Sequence, residues 1–140
     1  MTDLTAYVDG SYNKETMTYG SGIVILNAQN DVILEKAITY TNNKFSSSYQ
    51  IAGEVLGAKY VLEYAKRHNK SITIKYDYLG IEKWATGEWS AKKPISQEYV
   101  KYFESNPLSD KIKFEKVKAH SGVEYNELAD ELAKIAVELI

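Results

Sequence analysis

The sequence predicts an α/β protein in which helices pack on the faces of one mixed sheet. Three observations predict this fold class. Three strand-like segments follow one another in the first third of the chain, a long helical pattern comes next, and two further strand-like segments alternate with helical ones after it. Consecutive strands joined by short turns favour an antiparallel meander, whereas strands separated by helices favour parallel crossovers. With 140 residues, the chain fits a single domain spanning 1–140.

The opening meander is predicted from three segments rich in β-branched and aromatic residues, at residues 5–9, 19–27 and 31–41. Between the first two, the segment GSYNKETMT at residues 10–18 is predicted to be a turn-rich loop, because glycine and small polar residues dominate its first half. The segment AQND is predicted to be the turn between the second and third strands.

A helix is predicted at residues 48–68 from apolar residues at intervals of three and four, with Asn69 as its stop. The residues of this stripe are Ile51, Val55, Ala58, Leu62 and Ala65. A strand at 72–76, a short helix at 78–86 and a helix at 94–104 follow, the last with Pro94 in its first turn. Residues 111–117 alternate as a strand does, and a final helix starts near residue 123. Its apolar stripe is predicted to be Leu128, Leu132, Ile135 and Leu139.

Composition excludes several classes of site. The chain has no cysteine and two histidines, which excludes disulfides and thiolate zinc sites and disfavours an imidazole zinc site. No run of about 18 apolar residues occurs, so we expect a soluble, cytoplasmic protein without a membrane partner. The net charge of -2 argues against a nucleic-acid partner unless several acids bind cations, which would reverse the local charge.

Four acids occupy positions that suit a shared site. Asp9 ends the first predicted strand and Asp77 follows the fourth, so they meet at one edge of the sheet if those strands are neighbours. Glu54 borders the buried stripe of the long helix, and Asp130 points away from Leu128 and Leu132. Each acid alone is as readily explained as a turn former or a solvated helix residue.

The combination of the four acids is more informative than any one of them. If they converge, each pair at about 4 Å repels by around 4 kcal/mol at an effective dielectric near 20, so the cluster needs a cation. Oxygen ligands without histidine or cysteine select hard ions, chiefly Mg²⁺ or Mn²⁺. Two such ions about 3.5 to 4 Å apart suit in-line hydrolysis of a phosphodiester.

At these motifs the chain resembles the type 1 ribonuclease H family over nearly its whole length. The matching segments are YVDGSY at 7–12, AGEVLGA at 52–58, KYDY at 75–78 and VKAHSGVEYNELADELAK at 117–134. The resemblance implies the ribonuclease H-like fold, a five-stranded mixed sheet of order 3-2-1-4-5 with helices on both faces. It also implies an endonuclease that cuts the RNA strand of RNA–DNA hybrids and leaves 5′-phosphate and 3′-hydroxyl ends.

The resemblance implies roles for single residues. Asp9, Glu54, Asp77 and Asp130 would hold two Mg²⁺ ions, with Mn²⁺ as an alternative and Asp9 bridging the two. His120 would assist proton transfer or product release, although an isolated loop histidine is ordinarily just solvated.

Contacts with the hybrid are also expected from the resemblance. Candidates for recognising the RNA 2′-hydroxyl are Gly10, Ser11, Asn13 and Gln50. A turn-forming role for Asn13 and a helix-terminal role for Gln50 are equally good interpretations. Candidates for stacking on sugars and pairing with DNA phosphates are Trp84, Trp89, Lys92 and Lys93. Core packing is the alternative for Trp84, whereas Trp89 is expected to be exposed.

Two other functions compete with this one. A related 3′ to 5′ exonuclease would use a similar fold with different acid motifs, and a catalytically silent hybrid-binding domain would not need all four acids. The sequence also departs from the family pattern, with Tyr78 after the second aspartate where many members have serine. It lacks the long basic insertion of some bacterial members. We expect a monomer without a separate hybrid-binding module.

Overall fold

The computed structural model describes residues 2–41, 48–117 and 124–140, and describes residues 49 and 50 by their backbone alone. The strands are β1 (Leu4–Asn13), β2 (Thr18–Leu26), β3 (Val32–Tyr40), β4 (Ile72–Tyr76) and β5 (Ile112–Lys116). The helices are α1 (Tyr49–His68), α2 (Gly80–Thr86), α3 (Pro94–Ser105) and α4 (Glu124–Ala136), and a 3₁₀ turn at Ser109–Lys111 precedes β5. None of the described helices is long and apolar enough to cross a membrane.

The sheet has the strand order β3-β2-β1-β4-β5, which confirms the predicted order 3-2-1-4-5. The first three strands pair antiparallel, while β4 pairs parallel with both β1 and β5. Because α1 connects β3 to β4 across β2 and β1, the carboxyl ends of β1 and β4 meet at the same edge of the sheet. This edge is where the predicted aspartates lie.

Helices cover both faces of the sheet, as predicted. On one face α1 packs over β1 and β2, and α2 and α3 complete this layer with Ile81, Ile95 and Tyr99. On the other face α4 lies over β1 and β2. The main core is therefore the space between α1 and the sheet, where residues such as Ile23, Ile74 and Leu62 are fully buried.

The first strand is longer than predicted. Residues 10–13, which we expected in a loop, continue β1 and pair with β2 from Ser11 opposite Gly20 to Asn13 opposite Thr18. The connection shrinks to residues 14–17, in which Met17 adopts a positive φ of 58°. The prediction failed because the polar residues of this segment are held by cross-strand hydrogen bonds, which local composition does not reveal.

The predicted apolar stripe of the final helix is confirmed in part. Leu128 and Leu132 are partly buried and pack against a second core cluster of Tyr7, Val24, Leu26 and Ala129, but the residues buried most deeply are others. Ala129, Ala133 and Ala136 face the sheet and are buried, whereas Ile135 and Leu139 are 47% and 48% exposed. The reason lies in the strand beneath, since a methyl group on Gly22 would lie 1.8 Å from the carbonyl oxygen of Ala129. Small residues on both sides allow the backbones to touch, and this close approach outweighs burial of Ile135 and Leu139.

The other elements agree with prediction to within about two residues. The long helix ends where Asn69 adopts the left-handed conformation, with its amide bonded to helix carbonyls, as a helix stop requires. Pro94 occupies the first turn of α3, as predicted. The short helix α2 begins at Gly80, two residues later than predicted, so that residues 77–79 form the turn that follows β4.

Candidate active site

Two aspartates lie side by side just beyond the paired part of two parallel strands. Asp77 directly follows β4, as predicted, but Asp9 does not end its strand, because β1 continues to Asn13 through its pairing with β2. β1 and β4 pair from Leu4 opposite Ile72 to Tyr7 opposite Lys75. The same register continued by two residues sets Asp9 opposite Asp77. Both residues therefore lie where β4 ends beside β1, at the edge of the sheet where α/β folds collect ligands.

The glutamate reaches this pair because α1 touches the sheet at glycines. A methyl group on Gly10 would lie 2.3 Å from the backbone nitrogen of Glu54, so no larger residue fits between strand and helix there. Asp9, Glu54 and Asp77 each offer a carboxylate oxygen, and these three atoms lie within 4.8 Å of one another. The glutamate is held by the backbone amide of Tyr78, which donates to its Oε2 over 2.8 Å.

The fourth acid joins the cluster from the opposite layer. Asp130, on α4, lies near enough to Asp9 to raise the pKa of the Asp9 carboxyl, through a shared hydrogen bond and through its charge. It also forms an ion pair of 3.0 Å with Lys134, one turn further along the helix. Asp130 therefore lies next to the Asp9 end of the cluster that Asp9, Glu54 and Asp77 form.

Burial and mutual repulsion make this cluster hard to ionise fully. Burial, followed by the negative charge of Asp77, raises the pKa of Asp9 from its ordinary 3.8 to about 8, against the opposing effect of a hydrogen bond from the Gly10 amide. Burial is also the first cause that raises the pKa of Glu54, and its hydrogen bond with Asp77 is the second. A divalent cation at the cluster would stabilise the ionised forms, so the donor set fits a hard metal ion.

An aromatic cluster borders the acids. Trp84 packs against Tyr78 and Trp89, with ring centroids 5.7 Å and 6.1 Å away. Trp84 is only 9% exposed and belongs to the main core, which was the alternative interpretation of this residue, whereas Trp89 is 39% exposed, as expected. Sequence reasoning missed that Tyr78 joins this cluster, although its position directly after Asp77 was the available signal.

The remaining predicted substrate contacts lie in different settings. Lys92 and Lys93 are exposed on the loop before α3, and Gly10 and Ser11 are partly exposed on β1. Asn13 is 8% exposed, and its amide group binds within the protein, so the structure supports the turn-forming interpretation and argues against recognition of RNA. His120 and the side chain of Gln50 lie outside the described part of the chain.

Comparisons with known proteins agree with this architecture. The sequence model of the protein family described as RNase H matches residues 1–138 of this chain. Ribonuclease H of Pseudoalteromonas translucida (strain TAC 125) is 31% identical over an alignment of 140 positions, which covers 93% of this chain and 86% of that protein.

Solved structures show the same fold. RNase H1 from the halophilic archaeon Halobacterium salinarum NRC-1 is similar with a TM-score of 0.78 and 21% identity, covering 98% of each chain. LC11-RNase H1, solved in complex with an RNA/DNA hybrid, has a TM-score of 0.73 at 15% identity and covers 96% of this chain and 99% of its own. Together with the match of the family model over nearly the whole sequence, these findings show that the chain belongs to the ribonuclease H family of ribonucleases.

Proposed function

We propose that this chain is an endonuclease that uses two divalent metal ions to hydrolyse the RNA strand of RNA–DNA hybrids, leaving 5′-phosphate and 3′-hydroxyl ends. The observation that carries the proposal is the cluster of the Asp9, Glu54 and Asp77 carboxyls where β4 ends beside β1, with Asp130 of α4 next to Asp9. Membership of the ribonuclease H family supports the reaction, and the hybrid-bound LC11-RNase H1 supports the substrate. Since all four acids come from one chain, we further propose that it acts as a monomer.

The four acids would hold the metal ions, and Mg²⁺ is the ion that we propose, with Mn²⁺ as an alternative. Asp9 lies in the middle of the cluster and is the best placed to contact both ions. Bound ions of this kind activate the attacking water and stabilise the leaving oxygen. To bind them, Asp9 and Glu54 must lose the protons that their raised pKa values favour, so metal binding is coupled to proton release.

The protein holds two of these ligands through its backbone. The Tyr78 amide fixes one oxygen of Glu54, and the Gly10 amide donates to Asp9 over 2.9 Å. Because these donors belong to β1 and to the turn after β4, the carboxylates are oriented before any metal or substrate arrives. Such preorganisation lowers the cost of reaching the reactive geometry.

We propose that the surface beside the acids binds the hybrid. The partly exposed ring of Trp89 is available for stacking, and Lys92 and Lys93 offer positive charge for phosphates. Gly10, Ser11 and Gln50 remain candidates for contacting the RNA strand, and His120 remains a candidate for proton transfer.

The test compares two aspartate variants on an RNA–DNA hybrid whose RNA carries a different label at each end. The wild-type chain with Mg²⁺ should produce internal cuts in RNA and leave the DNA strand, duplex DNA and duplex RNA intact. Asp77→Asn should abolish cleavage, since it removes a proposed ligand. Asp110→Asn is the matched control, because Asp110 is exposed on the 3₁₀ turn before β5 and away from the cluster.

Three results would overturn the proposal. Stepwise shortening from the RNA 3′ end would identify an exonuclease instead. Tight binding of the hybrid without cleavage at any Mg²⁺ or Mn²⁺ concentration would identify a silent binding domain. Full activity of Asp77→Asn would show that the carboxyl cluster is not the catalytic centre.

A further inference from the structure

Two side chains of the sheet bind the last carbonyls of α4. The final carbonyls of any helix have no intrahelical donor and need partners from elsewhere. Here Asn13 donates from Nδ2 to the carbonyl oxygen of Val137 over 2.7 Å, and Thr39 donates from Oγ1 to that of Ala136 over 2.6 Å. The first of these bonds is buried and joins residues that are 124 positions apart in sequence. Both anchor the end of the helix that carries Asp130.

Small side chains dominate the contact of α4 with β2 near these bonds, whereas Leu128 and Leu132 pack on the sheet nearer the start of the helix. The buried side chains in the contact with β2 are the methyl groups of Ala129, Ala133 and Ala136, and glycines lie beneath them in β2. At Gly20, an added methyl group would lie 2.7 Å from the Cβ atom of Ala136. Large side chains that interlock as ridges and grooves normally resist sliding of a helix over its neighbour. Across this seam of methyl groups, directional hydrogen bonds therefore contribute more to fixing the register.

The same strand and the same helix meet at two places. Asn13 lies four residues beyond Asp9 on β1, roughly 13 Å away at about 3.3 Å per residue. Val137 lies seven residues beyond Asp130, roughly 10 Å along the helix at about 1.5 Å per residue. β1 and α4 are thus joined at one place by the bond from Asn13 to Val137. At the other place Asp9 and Asp130 lie side by side.

We propose that Asn13 and Thr39 are positioning residues, which hold α4 in register with β1 and thereby set where the Asp130 carboxylate meets Asp9. This inference rests on the proposed function, because the position of Asp130 matters through the metal ion that the two aspartates would share. Mg²⁺ demands a nearly ideal octahedral arrangement of oxygens, so a shift of α4 along the sheet would weaken its binding.

The variants remove the hydrogen-bond donors of Asn13 and Thr39 while keeping the size and shape of each side chain. Asn13→Asp retains the oxygen that accepts from the amides of Glu15 and Thr16, but sets a second oxygen against the Val137 carbonyl. Thr39→Val removes a single hydroxyl from a β-branched side chain, and Thr39→Ser keeps that hydroxyl as the conservative counterpart.

Asn106→Asp is a matched control on the other side of the sheet. Asn106 is also buried, accepts from a backbone amide, that of Leu108, and donates to a helix carbonyl, that of Leu62. It lies at the end of α3, in the layer opposite α4. The same chemical change at this position should lower stability without altering the distance between Asp9 and Asp130.

The readout is binding of Mg²⁺ itself, measured as the rise in melting temperature across a titration with no nucleic acid present. For Asn13→Asp we expect the midpoint of this titration to move to a concentration about tenfold higher, in the range found when groups that orient metal ligands are removed. Thr39→Val should shift it in the same direction and Thr39→Ser should restore it. Asn106→Asp should lower the melting temperature and leave the midpoint unchanged.

A second readout separates position from stability. With the hybrid as substrate, kcat of Asn13→Asp should fall by roughly tenfold and recover in part at high Mg²⁺, while KM for the hybrid stays near the wild-type value. If the variant does not fold, the Thr39→Val and Thr39→Ser pair decides the matter by the same measurements.

The outcomes distinguish this inference from the proposed function. A wild-type midpoint retained by both Asn13→Asp and Thr39→Val would overturn the positioning role and leave the metal site intact. An equal shift in Asn106→Asp would also overturn it, since general destabilisation would then explain the effect. A wild-type chain whose melting temperature does not respond to Mg²⁺, and which does not cut the hybrid, would instead overturn the proposed function.

Discussion

Replacing Asp9 by asparagine should stabilise the metal-free protein at neutral pH and lose that advantage in acid. The change keeps the side chain's shape and the oxygen that accepts from the Gly10 amide, while it removes a carboxyl that is 8% exposed and touches two other acids. It therefore isolates the cost of holding a negative charge at the centre of the cluster.

The size of the effect follows from the pKa of Asp9. A carboxyl whose pKa is raised in the folded state stabilises the protein only while it is protonated there, so the wild-type chain loses stability as pH rises from 3.8 towards about 8. Each factor of ten in proton affinity corresponds to about 1.4 kcal/mol, so between about pH 4 and pH 7 the loss is roughly 4 kcal/mol. That is comparable with the whole stability of many domains, about 5 to 15 kcal/mol.

The assay is urea unfolding of wild type and Asp9→Asn at several pH values, with a chelator to remove divalent ions. Titrating groups outside the cluster are shared by the two proteins and largely cancel in the difference of their free energies of unfolding. Glu54 adds to the difference in the same direction, because the charge of Asp9 raises its pKa in the wild type. This difference should grow in favour of the variant by roughly 4 kcal/mol between about pH 4 and pH 7. A difference that stays flat, or that shrinks as pH rises, would refute the argument that burial and repulsion destabilise the Asp9 carboxylate.

Asp3→Asn is a control of the opposite sign. Asp3 is an exposed acid whose pKa is lowered mainly by hydrogen bonds from Ser71, whose backbone amide donates over 3.0 Å and whose hydroxyl donates over 3.1 Å. A lowered carboxyl pKa contributes stability above its unfolded value that is lost as pH falls. Asp3→Asn should therefore cost stability at neutral pH and cost nothing in strong acid.

Three further outcomes are expected. Trp84→Ala should lower the free energy of unfolding by about 3 to 5 kcal/mol in thermal or urea unfolding, because its ring is buried in the core. Trp89→Ala should unfold nearly as the wild type does but raise KM for the hybrid. Equal loss of stability in the two would contradict their different burial. Gly22→Ala should destabilise the protein and reduce its affinity for Mg²⁺ in a thermal-shift titration, because the added methyl group would displace α4. Unchanged affinity would mean that α4 accommodates the methyl group without moving Asp130. Finally, calorimetry of Mg²⁺ binding in buffers of different ionisation enthalpy should detect proton release between about pH 6 and pH 8, because Asp9, with a pKa of about 8, is protonated in much of the metal-free protein there. The raised pKa of Glu54 acts in the same direction. Binding enthalpy that is independent of the buffer would contradict the raised pKa values.

Much of the fold followed from local patterns. The stripe from Ile51 to Ala65 and the stop at Asn69 were enough to place α1, and the short β-branched run of β4 had the same bounds in prediction and structure. The order of the strands came from the family resemblance and is confirmed. Asp77 and Glu54 were predictable because the end of β4 and the register of α1 are local features. Asp9 was predicted at the end of the first strand but lies inside it, and the parallel pairing of β1 with β4 brings it beside Asp77.

The errors share a physical cause, which is that the deciding partner lies far away in sequence. Residues 10–13 look like a loop until β2 pairs with them. The buried face of α4 depends on Gly22, a residue that its own periodicity cannot detect. The role of Asn13 is set by Val137, at the other end of the chain. In each case long-range packing outweighed the local preference.

The aromatic cluster beside the acids allows the protein's own tryptophan fluorescence to report on this surface. The chain has two tryptophans, and both lie in this cluster, one buried in the core and one partly open to solvent. Intrinsic emission excited at the indole band therefore originates next to Asp77 rather than from a distant part of the molecule. Quenching or a colour shift on adding a nucleic acid would thus report occupancy of this face directly, with no attached dye.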